Sequence, residues 1–254
     1  MKIVAVIQMV PDLVEELVVD ANGVNLDPYS VRWVINEFDD YAVEEAILLK
    51  ERYGGTVTVV APGFDGVEDA LFTAAAKGAD ALVKLSGDFE NGSNNHALAR
   101  VFVTTLKSLS PDLVLTGVQA HNQNDGALGS LLAEDLGAPY VGYVAGVKVE
   151  NGMAVVRKEY PGGLAAELEV ALPAVLGIQT PDSPPRYVPI SKIRQVMKTS
   201  RIQEEDAGDL QPDGALPPSR MSTPQAASRA EMLDGSVDQV AEKLVSIFKE
   251  QGLI

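Results

Sequence analysis

The chain has 254 residues, 46% of them apolar, and a formal net charge of −16. That length suffices for one substantial core plus an appendage, and the charge excludes nucleic acid as a partner, because polyanion affinity comes from Lys and Arg displacing counterions at phosphates. Cysteine is absent, which excludes disulfides, thiolate nucleophiles and cysteine metal cages and accords with a cytoplasmic location.

The opening MKIVAVIQMVPD reads as a first strand and not a signal peptide, since Pro11 closes a short apolar run and no small-residue cleavage pattern follows. No segment approaches the roughly 20 apolar residues that span a bilayer, so no membrane insertion is expected. Short apolar or β-branched runs at 2–8, 56–63, 81–85, 112–117 and 173–178 have the texture of strands buried on both faces. Helical patterns alternate with them. The segment from Phe38 to Gly55 brings Tyr41, Val43, Ala46, Ile47 and Leu49 or Lys50 to one stripe, with Asp39 and Asp40 at its start and Lys50 and Arg52 at its end, matching a helix dipole. Further helices are predicted over 66–78 and 94–109, the first ending at Gly78 and the second capped by Asn94 or Asn95. Strands alternating with helices predict an α/β fold with a mostly parallel, doubly wound, Rossmann-like sheet. The single tryptophan, Trp33, is expected in the core beside the first strand, and the paired acids Glu44 and Glu45 as a solvated helix face.

From Tyr140 the pattern changes. Three alternating runs separated by ENG and PGG predict a small antiparallel insert. After residue 198 the chain turns rich in Pro, Gly, Ser and acids with no apolar period, which predicts an extended C-terminal arm over 199–254 attached to a core of 1–198. The arm ends in an amphipathic helix with Val237, Val240, Leu244 and Ile247 or Phe248 on one face.

The stretch GVQAHNQNDGALGSLLAEDLG, residues 117–137, joins the fourth apolar strand to a helix with Leu128, Leu131, Leu132 and Leu136 on its buried face. Ligands of open parallel sheets collect at such strand ends. Asn124 or Asp125 suits a helix cap, and Gly126 and Gly129 leave room for a phosphate to approach main-chain N–H groups. Asn, Asp and Gly also serve ordinary turns, and these glycines form neither a G-x-G-x-x-G nor a Walker pattern, so the loop alone leaves both readings open.

The segments KIVAVIQMVPD, NEFDDYAVEEAILLKE, GADALVKL, DLVLTGVQAHNQNDGALGSLLAEDLGAPY, GGLAAELEVALPAVLGI and PPRYVPISKI, in this order and spacing over residues 1–198, resemble the beta subunit of electron-transfer flavoproteins. The resemblance implies an adenine-nucleotide-binding α/β domain paired with an alpha subunit that holds most of the redox FAD site. It implies AMP in this subunit, or a second FAD in electron-bifurcating members. On matching positions the nucleotide would touch Val6, Ile7 and Gln8; Asn36 and Phe38; Ala61, Pro62 and Gly63; and Gln119, Ala120, Asn122, Gln123, Asn124, Asp125, Gly126, Ala127, Leu128 and Gly129. Leu13 would lie near the flavin. The chain departs from the family pattern at Asn122 and Asn124, where acids are usual, at Ala127 for Gln, at Gln8 for Lys and at Glu37 for Pro. Asparagines in place of carboxylates remove repulsion from a phosphate.

No catalytic residue and no metal site is expected: His96 falls in a helix and His121 stands alone in the loop. Without redox side chains, electrons must reside on a flavin. From Ser183 to Gln203 the chain carries Arg186, Lys192, Arg194, Lys198 and Arg201 and no acid. The resemblance makes this a partner-docking segment, with Ile190 as apolar anchor beside Arg186, Tyr187 and Ile193. The implied role is an electron carrier and not an enzyme, taking electrons from flavin dehydrogenases and delivering them to a quinone oxidoreductase. A bifurcating subunit and a stand-alone nucleotide-sensing domain of stress type are the alternatives.

Overall fold

The computed structural model describes residues 1–87, 89, 94–123, 125–208, 218–224 and 230–254. In chain order the elements are β1 (Lys2–Val6), β2 (Met9–Pro11), β3 (Trp33–Ile35), α1 (Glu37–Tyr53), β4 (Thr56–Pro62), α2 (Val67–Lys77), β5 (Ala81–Ser86), α3 (Asn95–Leu109), β6 (Leu113–Gly117), α4 (Leu128–Leu136), β7 (Tyr140–Glu150), β8 (Met153–Tyr160), β9 (Leu164–Ala171), β10 (Ala174–Ile178), α5 (Ile190–Thr199), β11 (Ile202–Asp206) and α6 (Val237–Glu250). The chain divides into a unit of residues 1–221 and a second of 222–254.

In the first unit nine strands form one sheet in the order β11-β5-β4-β1-β6-β10-β7-β8-β9. From β11 to β7 all neighbours are parallel, and β7, β8 and β9 form the antiparallel part. The central strands are enclosed: Ile3, Val4, Ala5 and Val6 of β1, Val59 and Val60 of β4 and Leu113, Val114 and Leu115 of β6 are buried. This is why they appear in the sequence as unbroken apolar runs and not as alternation. The chain leaves β1 toward β4 on one side and returns through α3 to β6 on the other. Right-handed crossovers then set α1 and α2 on one face and α3 and α4 on the opposite face. The sense of winding reverses between β1 and β6, and the crevice beyond their carboxyl ends is the topological switch point.

The predicted ends of α2 and α3 are found. Asn94 caps α3 by accepting from Ala97 N at 2.9 Å, and Gly78 ends α2 with its N–H on Ala74 O. Trp33 belongs to β3, which pairs with β2; it is half-buried and lies 4.8 Å from the Phe64 ring, centroid to centroid. The arm begins later than the sequence implies, because Ile202–Asp206 adds to the sheet edge as β11, in parallel register with β5. An edge strand is held through its backbone and one face, so IQEED needs no apolar period to pair.

In the second unit, α6 carries a full capping box: Ser236 Oγ accepts from Gln239 N and Gln239 Oε1 from Ser236 N. None of its residues is buried. No helix among the described residues is long and apolar enough to cross a membrane.

Candidate functional site

The residues after β1, at the start of α1 and after β6 meet in the switch-point crevice. Asn36, just before α1, donates its N–H to Gln8 O at 3.0 Å and its side-chain Nδ2 to Gln119 O at 2.9 Å. Asp39, in the first turn of α1, is buried and accepts from Gln8 N at 2.8 Å and Gly117 N at 2.7 Å. One carboxyl thus ties the ends of two neighbouring parallel strands to one helix. Burial pushes Asp39 up to about 7, against the downward pull of these N–H bonds. The space is tight. A side chain on Gly117 would put its Cβ 2.5 Å from Asp39 Oδ1 and 2.8 Å from Asp39 N.

Beside these groups, Val6 and Ile7 are fully buried, and Ile7 N donates to Val60 O at 3.0 Å. Register places Val6 opposite Val60, so Ala61, Pro62 and Gly63 follow at the adjoining strand end. Gly63 N donates to Leu85 O at 2.9 Å. Phe38 is half-buried and meets Tyr41 edge-on at 6.0 Å. Leu13 stands apart from this hydrogen-bonded group, 64% exposed beside the still more open Val14.

The loop from Gln119 to Gly129 closes the crevice. Gln123 N turns back to Ala120 O at 3.0 Å, and Asn122 is exposed. His121 Nε2 lies 2.9 Å from Pro11 O, which occupies that ring nitrogen with the main chain after β2. Asn124 lies outside the described residues. Asp125 turns its carboxylate toward Ala127 N at 3.2 Å and the Asn95 side-chain amide. The N-cap position of α4 falls on Ala127, whose methyl side chain makes no cap hydrogen bond, and not on Asp125 as the sequence suggests. Among the described residues no carboxylate or hydroxyl sits on the first N–H groups inside α4. Two neighbouring polar atoms, Thr116 Oγ1 and Asn95 Oδ1, are buried without a hydrogen-bond partner among the described residues. Uncapped N–H groups, paired acids and unpaired polar atoms at a strand end suit a phosphate-bearing ligand held by main-chain donors.

Three expectations need correction. Gly129 does not leave open space: a Cβ there would lie 2.7 Å from Tyr140 Cε2 and 3.0 Å from Thr116 Oγ1. The Tyr140 hydroxyl also lies 2.7 Å from the Cβ positions of Gly142 and Gly177, so these glycines accommodate a tyrosine ring. Glu44 and Glu45 are not a solvated face; both are buried, facing the segment between β10 and α5. Arg186 is not part of a free basic collar, because Glu44 and Glu51 hold its guanidinium. Tyr187 and Ile190 are 86% and 65% exposed, and Ile193 is half-buried.

Asp39 escapes a reading of the sequence because an acid in a first turn is already accounted for by the helix dipole. A signal was present all the same: Asp39, Ala42, Val43 and Ala46 fall at helical spacing on one stripe, and a carboxyl on an apolar stripe marks burial.

Residues 25–210 match the electron transfer flavoprotein domain family. The chain is 32% identical to the electron transfer flavoprotein subunit beta of Methylophilus methylotrophus over 98% of both chains. It is likewise 32% identical to the subunit of the same name from Clostridium acetobutylicum over the full length of both. A third relative, the caffeyl-CoA reductase-Etf complex subunit CarD of Acetobacterium woodii, is 31% identical over 92% of this chain and 96% of its own.

Proposed function

Since this chain belongs to the electron transfer flavoprotein family, as a beta subunit, we propose that it forms one half of a heterodimeric electron carrier, holding AMP and shaping a flavin site without itself accepting electrons. The polypeptide has no cysteine, and a bound FAD, held mainly by an alpha subunit, supplies the reversible redox chemistry. The part of this chain is binding, orientation and exclusion of water. The observation that carries the reading is the uncapped start of α4 at Ala127, next to the unpaired Thr116 Oγ1 and Asn95 Oδ1.

In this reading the loop Gln119–Gly129, with Gln8, Asn36, Phe38 and Ala61–Gly63, holds the adenylate, and main-chain donors do the work that lysines do elsewhere. Asp39 lies beneath, already satisfied by two N–H groups, so it opposes the phosphate little. Leu13 lies toward the flavin. The α5 segment meets the flavin dehydrogenases that deliver electrons, Ile190 serving as apolar anchor, and a quinone oxidoreductase takes them onward. Apolar side chains of α6 dock on the alpha subunit. The carrier works in the cytoplasm.

Production with an alpha subunit, followed by a visible spectrum and analysis of acid-released nucleotides, tests this. One FAD and one AMP per heterodimer is expected; a chain that pairs with no flavin-bearing subunit, or a complex without nucleotide in this half, overturns it. The likeness to a subunit of a caffeyl-CoA reductase-Etf complex favours a second reading, in which FAD replaces AMP here and the complex bifurcates electrons. That reading predicts two FAD and no AMP.

A further inference from the structure

Between β10 and α5 the chain runs through residues 179–189 without regular structure, and α5 itself buries none of its residues. Something must fix where α5 starts. Four side chains from the middle and the C-terminal end of α1 reach this strap. Glu44 accepts from Arg186 N at 3.0 Å through Oε2 and from Arg186 Nε at 2.8 Å through Oε1. Glu51 accepts from the two terminal guanidinium nitrogens at 2.6 and 3.1 Å. Glu45 Oε2 accepts from Asp182 N at 3.0 Å, and Arg52 pairs with the Asp182 carboxylate. Asp182 also presses on β7, where a Cβ on Gly146 would lie 2.5 Å from its Oδ1.

This arrangement is expensive for a simple connection. Desolvating two adjacent carboxylates is costly unless they are well paired, and both are buried. Each grips a main-chain N–H of the strap, at positions 182 and 186, so the strap is fixed at two points four residues apart. Arg186 is the fourth residue before Ile190, and its guanidinium bridges Glu44 and Glu51 as a rigid fork.

We propose that Glu44, Glu45 and Arg186 form a clamp that sets the pose from which α5 presents its exposed residues to a redox partner. They are positioning residues and take no part in holding the nucleotide. The inference rests on the reading of α5 as the docking element. The guanidinium draws Glu51 below the usual glutamate range and is itself held above its ordinary value by Glu51 and Glu44, in keeping with an ion pair that persists across the neutral range. One buried oxygen, Glu45 Oε1, makes no full hydrogen bond among the described residues, which marks Glu45 as the less satisfied half of the clamp.

The test uses the heterodimer and the flavin dehydrogenase that reduces it fastest in a panel of acyl-CoA and dimethylglycine dehydrogenases. Glu44→Gln puts an amide donor against Arg186, and Arg186→Lys keeps the charge but cannot bridge Glu44 to Glu51. Losing one such charge-assisted bond predicts about tenfold faster amide exchange over 182–199 and a KM for the carrier raised about tenfold, with kcat changed less than about twofold. Flavin and adenylate contents should stay at the wild-type level. Ile190→Ala should raise KM without altering exchange. Wild-type exchange in both clamp variants overturns the clamp, as does faster exchange with unchanged KM when Ile190→Ala does raise KM. An unchanged KM in Ile190→Ala overturns the docking reading instead.

Discussion

Replacing Gly117 by alanine probes the junction on which the nucleotide crevice is built. The added Cβ would stand 2.5 Å from Asp39 Oδ1, 2.7 Å from Phe38 Cβ and 2.8 Å from Asp39 N. Phe38 Cβ and Asp39 N are fixed by the first turn of α1, so of the three only the Asp39 carboxyl can swing aside. Overpacking of this kind costs about 1–3 kcal/mol. If the Asp39 carboxyl is pushed away, its bonds from Gln8 N and Gly117 N at 2.8 and 2.7 Å are lost as well, each worth about 1.5–3 kcal/mol when the acceptor is charged. The two costs overlap, because moving the carboxyl relieves the closest of the three contacts, and together they predict a loss of about 3 kcal/mol. Urea unfolding measures it as a lower midpoint at unchanged slope, and nucleotide analysis should find the adenylate depleted. A loss below about 0.5 kcal/mol, the usual range for an uninvolved surface change, with nucleotide retained would refute the idea that Asp39 and Gly117 lock α1 to β6.

Three further outcomes follow from the same contacts. Glu45 is pushed by burial to about 7 from 4.5, with the Asp182 carboxylate adding to the push and the Asp182 N–H, Arg52 and the Val147 N–H opposing it. An acid whose folded-state value is raised keeps its proton longer in the native state, so that contribution to stability is fully present below about pH 4.5 and is lost as pH rises through about 7. Glu45→Gln should therefore gain on the wild type in urea midpoint at pH 8 and lose that advantage at pH 5; equal differences at both values would contradict the burial argument. Asp39→Asn should flatten the fall in stability between about pH 4 and 7, for the same reason, while weakening nucleotide retention, since an amide must turn a donor toward Gln8 N or Gly117 N. Gly129→Ala should destabilise by about 1–3 kcal/mol through the Tyr140 ring, and Tyr140→Leu in the same chain should recover part of that loss; additive losses in the double variant would show that the ring is not what the glycine accommodates.

The central sheet was legible in the sequence because burial on both faces forces an apolar run, and most of its parallel neighbours are joined through helices. What escaped notice was held by other means. β2 and β3 are three residues each, too short for a period, and β11 pairs through its backbone at an edge. Glu44 and Glu45 carry no sign of burial in their own type; the groups that satisfy them, Arg186 and the N–H of Asp182, lie about 140 residues away in the chain. The site shows the same division. Gln8, Asn36 and Gln119, expected on the strength of family likeness, do join through hydrogen bonds. Gly129 was misread because a glycine near a strand end is explained equally well by a ligand or by a side chain from elsewhere, and Tyr140 supplies the latter.

The most direct test of the account is amide exchange in the heterodimer, freed of nucleotide and then given AMP, over the peptide from Gln119 to Leu132. The account predicts slower exchange concentrated at the main-chain amides of Gly126 to Gly129, with little change at Leu13 or along α5. AMP that binds while leaving these amides as exchangeable as before would contradict the claim that the start of α4 holds the phosphate.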